Sequence, residues 1–109
     1  MSRQAPNSES QAILGLDGLD PLLQHRSRLG AMVLLSGSDL TFSRLKELLD
    51  ETDGNLGAQL RKLEEAGYVL VNKQFVDRKP VSWYALSPAG SKALKAHLKA
   101  MEGIIKMAK

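Results

Sequence analysis

The residues of this 109-residue chain whose types and spacing could do chemistry are long polar side chains around a patch of small ones. Between Thr52 and Tyr68, the side chains of Asn55, Gln59, Arg61 and Lys62 flank the small pair Gly57 and Ala58. Small residues allow a backbone to come close to another surface, and long polar neighbours can then reach into a groove. Asn and Gln carry a donor and an acceptor side by side, which suits adenine edges, and the forked guanidinium of Arg suits guanine. A second cationic group, Arg78 and Lys79, lies in Asp77-Arg78-Lys79-Pro80, where turn chemistry would place it at a tip that can meet phosphate. Bond-making chemistry finds no comparable support. No nucleophile with a base, no paired carboxylates and no metal set forms a recognisable motif. Gly54-Asn55-Leu56-Gly57 lacks the Gly-Lys-Ser/Thr continuation and the preceding strand of a phosphate loop. With no cysteine, His25 and His97 remain as strong metal ligands, and they lie in separate segments. An enzyme is therefore not expected, nor a cofactor.

The elements that must hold these groups can be read from periodicity. At about 100° per residue, Leu56, Leu60 and Leu63 fall in one narrow sector, while Gly54, Asn55, Ala58, Arg61 and Lys62 fall on the other side. This predicts a helix of about 53–66 with one core face and one exposed basic face. Thr52 or Asp53 can cap its start, and Gly67 can end it in the left-handed conformation. Upstream, Thr41 is placed to cap a helix from Phe42 to Leu49, with Leu45, Leu48 and Leu49 inward. The polar stretch Asp50–Asp53 joins the two helices, which is helix-turn-helix spacing. Ser43 and Arg44, at the start of the first of these helices, are further candidates for phosphate contact, because helix N-termini favour anions.

Asp20-Pro21 predicts an earlier helix, ending at Ser36-Gly37-Ser38 and presenting Leu22, Leu29, Met32, Val33 and Leu35 on its apolar face. His25, Arg26 and Arg28 read as surface residues of it. Tyr68–Phe75 and Val81–Leu86 are rich in β-branched and aromatic residues around the 77–80 turn, and together predict a β-hairpin. Its basic tip reads either as a nucleic-acid contact or as a merely soluble turn. Ser87-Pro88 opens a final helix in which Leu94, Leu98, Met101 and Ile105 recur at alternating spacings of four and three, a heptad seam. Those four residues are the expected dimer contact, with the seam packing on the first helix near Leu94 and meeting a second subunit toward Ile105. Residues 1–18 read as an N-terminal arm, mobile or holding a short extra helix from near Ser8, and 19–109 as one domain.

Composition is that of an ordinary globular chain, 43% hydrophobic and 25% charged, with no apolar run near the roughly 20 residues of a membrane span. A cytoplasmic location and no membrane partner are expected. The net charge of +3 is unevenly spread: residues 52–87 carry five basic and four acidic groups, and 88–109 carry five and one. An anionic partner is favoured only weakly by charge alone.

The order helix, helix-turn-helix, hairpin, helix, together with Leu40-Thr41-Phe42, Leu45-Lys46-Glu47-Leu48-Leu49, Asp53-Gly54-Asn55-Leu56, Leu60 to Val69 and Trp83 to Gly90, resembles the compact winged-helix transcriptional regulators related to the MarR and ArsR groups. The resemblance spans roughly Leu19 to Leu98. It implies a mainly α fold with a small β-hairpin, a winged helix-turn-helix. It further implies a homodimer that binds double-stranded DNA, with the helix from Asp53 in the major groove and the wing of about 76–80 on the backbone or in the minor groove. The cysteine and histidine clusters of ArsR-like metal sensors are missing, so metal sensing is not carried over. Larger MarR-type regulators have extra helices that form a ligand pocket. With only the first and last helices outside the reading head here, a sensing pocket could exist only at a dimer interface, and the sequence identifies no small-molecule effector. A winged helix that binds protein within a larger complex is the alternative, since one fold serves both uses.

Overall fold

The computed structural model describes residues 15–108. It contains four α-helices: α1 (Arg26–Gly37), α2 (Phe42–Leu49), α3 (Asp53–Glu65) and α4 (Pro88–Met107). Three strands, β1 (Leu40–Thr41), β2 (Val69–Val76) and β3 (Lys79–Leu86), form an antiparallel sheet in the order β1-β3-β2. The fold is a winged helix. The extra helix expected near Ser8 lies outside the described residues.

Three helices begin with the same device. The Thr41 hydroxyl accepts from the Arg44 amide at 3.1 Å, that of Thr52 from Asn55 at 3.2 Å, and that of Ser87 from Gly90 at 2.9 Å. Each satisfies an amide that has no partner within the first turn, a contribution of about 1 kcal/mol. The α2 and α3 boundaries expected from sequence follow from these caps. Gly67, at φ 79°, closes the α3 corner as predicted, while the left-handed residue after α2 is Asp50, at φ 53°.

The predicted helix from Pro21 is instead two pieces. A 3-10 turn spans Pro21–Gln24, with the Leu22 amide donating to Asp20 Oδ1 at 3.0 Å. The chain then extends through His25, whose Nδ1 accepts from the Ser27 amide and so starts α1 afresh. Arg28 reinforces the break by donating through Nε to the Leu22 carbonyl at 2.6 Å. Neither His25 nor Arg28 is the plain surface residue expected. Val33, expected on the apolar face, points to solvent.

The core is built from Leu23, Ala31, Met32, Leu35, Leu45, Leu56, Leu60, Leu63, Val69 and Leu94. Burying each α3 leucine contributes about 1.5–3 kcal/mol, enough to fix which face of that helix is left outward. The N-terminus of α4 locks onto the corner after α3. The Ser87 amide donates to the Tyr68 carbonyl at 3.0 Å, and a Cβ on Gly90 would lie 2.0 Å from that same oxygen, so only glycine fits. Tyr68 in turn donates its hydroxyl to Asp20 Oδ2, and this bond, with burial, raises the phenol pKa.

The seam on α4 is divided, and its Leu94 end packs within the chain as expected. Leu94 belongs to the chain's own core, and fully buried His97 lies on the same stripe, its Nδ1 accepting from the Asp20 amide at 2.9 Å. His97 is three residues after Leu94 and four before half-buried Met101, so these three share the inward face. Leu98 and Ile105 are 41% and 60% exposed and belong to an outer edge.

The sheet also departs in detail. β1, unanticipated because two residues show no periodicity, pairs Leu40 with Tyr84 and Thr41 with Trp83. The turn of the hairpin is two residues rather than four: Lys79 pairs with Val76 and Pro80 with Phe75, both inside the ladder. Asp77 and Arg78 occupy it at φ 52° and 67°, the pattern of a type I′ turn.

Candidate nucleic-acid interface

The outward face of α3 follows from its buried one. With Leu56, Leu60 and Leu63 inward, Asn55, Arg61 and Lys62 are exposed, and Gly57 and Ala58 lie half-buried between them. Among the described residues, nothing outside the helix's own nearby backbone lies within 4 Å of a Cβ built on Gly57. Internal packing therefore does not require glycine there, although it costs about 1 kcal/mol of helix stability relative to alanine.

Gln59, expected with Asn55, Arg61 and Lys62 to flank the small pair and reach into a groove, faces inward instead. It is 8% exposed and its Oε1 accepts from Arg28 Nη1 of α1. Its Nε2 donates to Asn55 Oδ1 at 3.3 Å, and Asn55 Nδ2 donates to Glu51 Oε1 at 2.5 Å. Glu51, in the turn before α3, also accepts from the Ser27 hydroxyl and lies 3.5 Å from Arg26. A polar chain thus runs from α1 through Gln59 to Asn55 and back through Glu51 to α1. It orients the Asn55 amide from both ends. The bond from Ser27, then that from Asn55, holds the Glu51 carboxyl below its ordinary pKa.

Ser43 and Arg44 are exposed in the first turn of α2, and Arg44 pairs with Glu47 at 2.5 Å. Lys46 pairs with Asp53 at 2.9 Å and joins α2 to the start of α3. An open polar depression of about 830 Å³ between these helices is lined by both Ser43 and Asp53. A second, of about 260 Å³, joins Ser43 to Pro80 and Ser82 of β3. Arg61 of α3 and Lys73 of β2 share a recess of about 200 Å³ with Gly57, Glu64, Val71 and Tyr84. Burial, then the Glu64 carboxylate, raises the Tyr84 pKa.

The start of α2, the outer face of α3 and one face of the hairpin therefore form a continuous surface. Lys73 was absent from the sequence-derived set. Strand alternation carries the signal, since Lys73 follows buried Val69 by four residues and half-buried Val71 by two. Arg78 and Lys79 lie at the exposed tip. Among the described residues no cluster of three or more His, Cys, Asp or Glu could hold a metal ion, and no helix is long and apolar enough to cross a membrane.

A helix-turn-helix whose second helix presents a small-residue surface, beside a hairpin with a basic tip, defines a winged-helix DNA-binding domain. Residues 27–105 match the family model of the winged helix DNA-binding domain, and the chain belongs to that family. It is 35% identical over 72 residues to an uncharacterized protein of Methanocaldococcus jannaschii, covering 65% of this chain and 78% of that one. Among solved structures, it resembles a transcriptional regulator homologue from Pyrococcus horikoshii OT3 with a TM-score of 0.75 and 31% identity, over 81% of this chain and 88% of that one. A MarR-family transcriptional regulator from Enterococcus faecalis V583 shares the fold, with a TM-score of 0.68 and 23% identity over 99% of this chain and 92% of that one. The family and fold are those of DNA-binding transcriptional regulators.

Proposed function

We propose that this protein is a sequence-specific double-stranded DNA-binding transcriptional regulator that acts as a homodimer. In this reading the domain is 19–109, α3 enters the major groove and the wing lies along the backbone or minor groove. The observation that carries it is Gly57, a glycine inside an otherwise leucine-anchored helix, with no neighbour among the described residues that requires it and with Asn55, Arg61 and Lys62 around it. A close approach by an outside surface accounts for that residue, and family membership supports a duplex as that surface.

Asn55 and Arg61 would read base edges, with Lys62 beside them. Gln59 would act through Asn55, whose amide it helps to orient. Ser43, Arg44, Arg78 and Lys79 would meet phosphates and set position rather than sequence. The dimer would form on the outer edge of α4, with Leu98 and Ile105 central, Met101 at the margin, and Leu94 supporting the helix from within.

Titration of labelled duplexes at rising salt tests the reading. Phosphate contact requires log K to fall linearly with log salt, by about 0.9 per neutralised phosphate on duplex DNA. Rounds of selection from a random duplex pool should then converge on a two-fold-related site. A module that binds protein instead would show little duplex binding at any salt and no convergence.

A further inference from the structure

The wing carries an aromatic ring that the contacts above leave unused. Phe75 is 78% exposed, more than any other large hydrophobic side chain among the described residues. Strand alternation puts it on the face of β2 that carries Val69, Val71 and Lys73. The inner end of that face is core, since Val69 is buried. Its middle lies against α3, because Val71 and Lys73 share a recess with Gly57 and Arg61. Its outer end is Phe75, paired across the ladder with Pro80. The ring therefore projects on the α3 side of the wing, beyond the end of the recess.

A ring left in water contributes nothing to the core, yet a rigid two-residue turn, with Asp77 and Arg78 both left-handed, holds this one in place. Around it, residues 73–80 carry the cations Lys73, Arg78 and Lys79 against the single carboxylate of Asp77. The matching partner is anionic on its outside and apolar and flat within, and it must lie on the same side as α3. A duplex meets both requirements, through its phosphates and its base stack.

We propose that Phe75, backed by Pro80, is a wedge that enters the minor groove beside the α3 contact and partly unstacks one base step. Lys73, Arg78 and Lys79 hold the flanking phosphates. The inference rests on the DNA-binding reading above and adds to it a kink and a source of specificity. Pyrimidine–purine steps unstack most easily, so the site should prefer TA or CA/TG at the wing position without any hydrogen bond to those bases.

The probe is the duplex that the intact protein enriches from a random 30-base-pair pool, with 2-aminopurine substituted in turn at each adenine outside the central contact. Binding should raise its fluorescence at one step on each flank. Phe75→Ala should abolish the rise and weaken binding roughly 5- to 150-fold, the span of base–aromatic stacking, while leaving the salt slope unchanged. Phe75→Trp should restore both, and because position 75 is exposed each variant should keep the wild-type thermal midpoint.

Unchanged fluorescence and affinity in Phe75→Ala would overturn the wedge while leaving the DNA-binding reading intact. So would a variant that binds duplex normally but loses attachment to phosphatidylserine-containing vesicles, which would make the ring a membrane anchor. Absence of duplex binding by the wild type would overturn both.

Discussion

Arg28 of α1 donates through Nη1 to Gln59 Oε1 of α3, and the two residues are 31 apart in sequence. The bond ties the helix that carries the candidate reading face to the helix behind it, and Gln59 passes the constraint on to Asn55. Replacing Gln59 with Ala leaves a half-buried guanidinium short of an acceptor. The expected loss is about 1.5–3 kcal/mol, the range for hydrogen bonds to charged groups, read as a lower urea midpoint. Sequence preference should relax at the position read by Asn55. A double-mutant cycle with Arg28→Ala separates the pair's coupling from the truncation itself. A stability loss with preference intact would limit Gln59 to the fold.

Gly57 allows a sharper separation of stability from binding. Its Cβ position is empty, so Gly57→Ala should stabilise the protein by about 0.4–1 kcal/mol through reduced freedom of the unfolded chain. If α3 lies close against a groove floor, the same methyl should weaken duplex binding. Thermal melts and duplex titrations of one variant should therefore move in opposite directions. Tighter or unchanged binding would show that no partner approaches the helix there.

These two residues also show how far the sequence could be read. The leucine sector of α3, the three hydroxyl caps and the hairpin were legible because each rests on local spacing. Gln59 was misplaced by its polarity. It is three residues after Leu56 and four before Leu63, so spacing alone puts it on their face. His97 was overlooked in the same way beside Leu94. The pairing of β1 with β3 had no local signal, since it depends on partners more than forty residues away, and the break at His25 rests on side chains that bond to nearby backbone, which periodicity does not register.

The wing turn places Arg78 in a conformation that favours glycine. For a residue with a Cβ the left-handed region costs roughly 1–2 kcal/mol, so Arg78→Gly should raise the thermal midpoint. It should also weaken binding to every duplex about equally, because a phosphate contact is lost without any base contact. Replacing Arg78 and Lys79 together by Ala should make the salt slope shallower by about two ion equivalents. An unchanged slope would place the tip away from DNA.

Glu51 predicts a pH dependence. Its folded pKa lies below the ordinary 4.5, chiefly because it accepts from Ser27 and then from Asn55. A depressed carboxyl contributes stability that is fully present above the unfolded value and is lost as pH falls through the folded one. Urea midpoints should show Glu51→Gln less stable than wild type at pH 7. The gap should close as the pH drops below about 4.5. A gap that stays constant down to pH 3 would mean that ionisation of Glu51 contributes nothing.

The outer edge of α4 carries the last prediction. Leu98 and Ile105 are seven residues apart on one side of the helix, both exposed, with Met107 exposed near the end. Lys92, Lys95, Lys99 and Lys106 are exposed as well. An apolar edge with solvated flanks gains from being covered, and the chain's own core already occupies the neighbouring stripe of Leu94 and His97. A second copy related by a two-fold axis would cover it isologously and would set two α3 helices about 34 Å apart, one turn of duplex. Gly103 weakens the final turns by about 1 kcal/mol, yet α4 continues through it to Met107. Ile105→Glu would bury an unpaired charge at such an interface, while in a monomer it would only add a soluble side chain. Sedimentation at micromolar concentration should therefore give a dimer for the wild type and a folded monomer for the variant. A wild-type monomer, or a variant that dimerises equally well, would remove this edge from the interface.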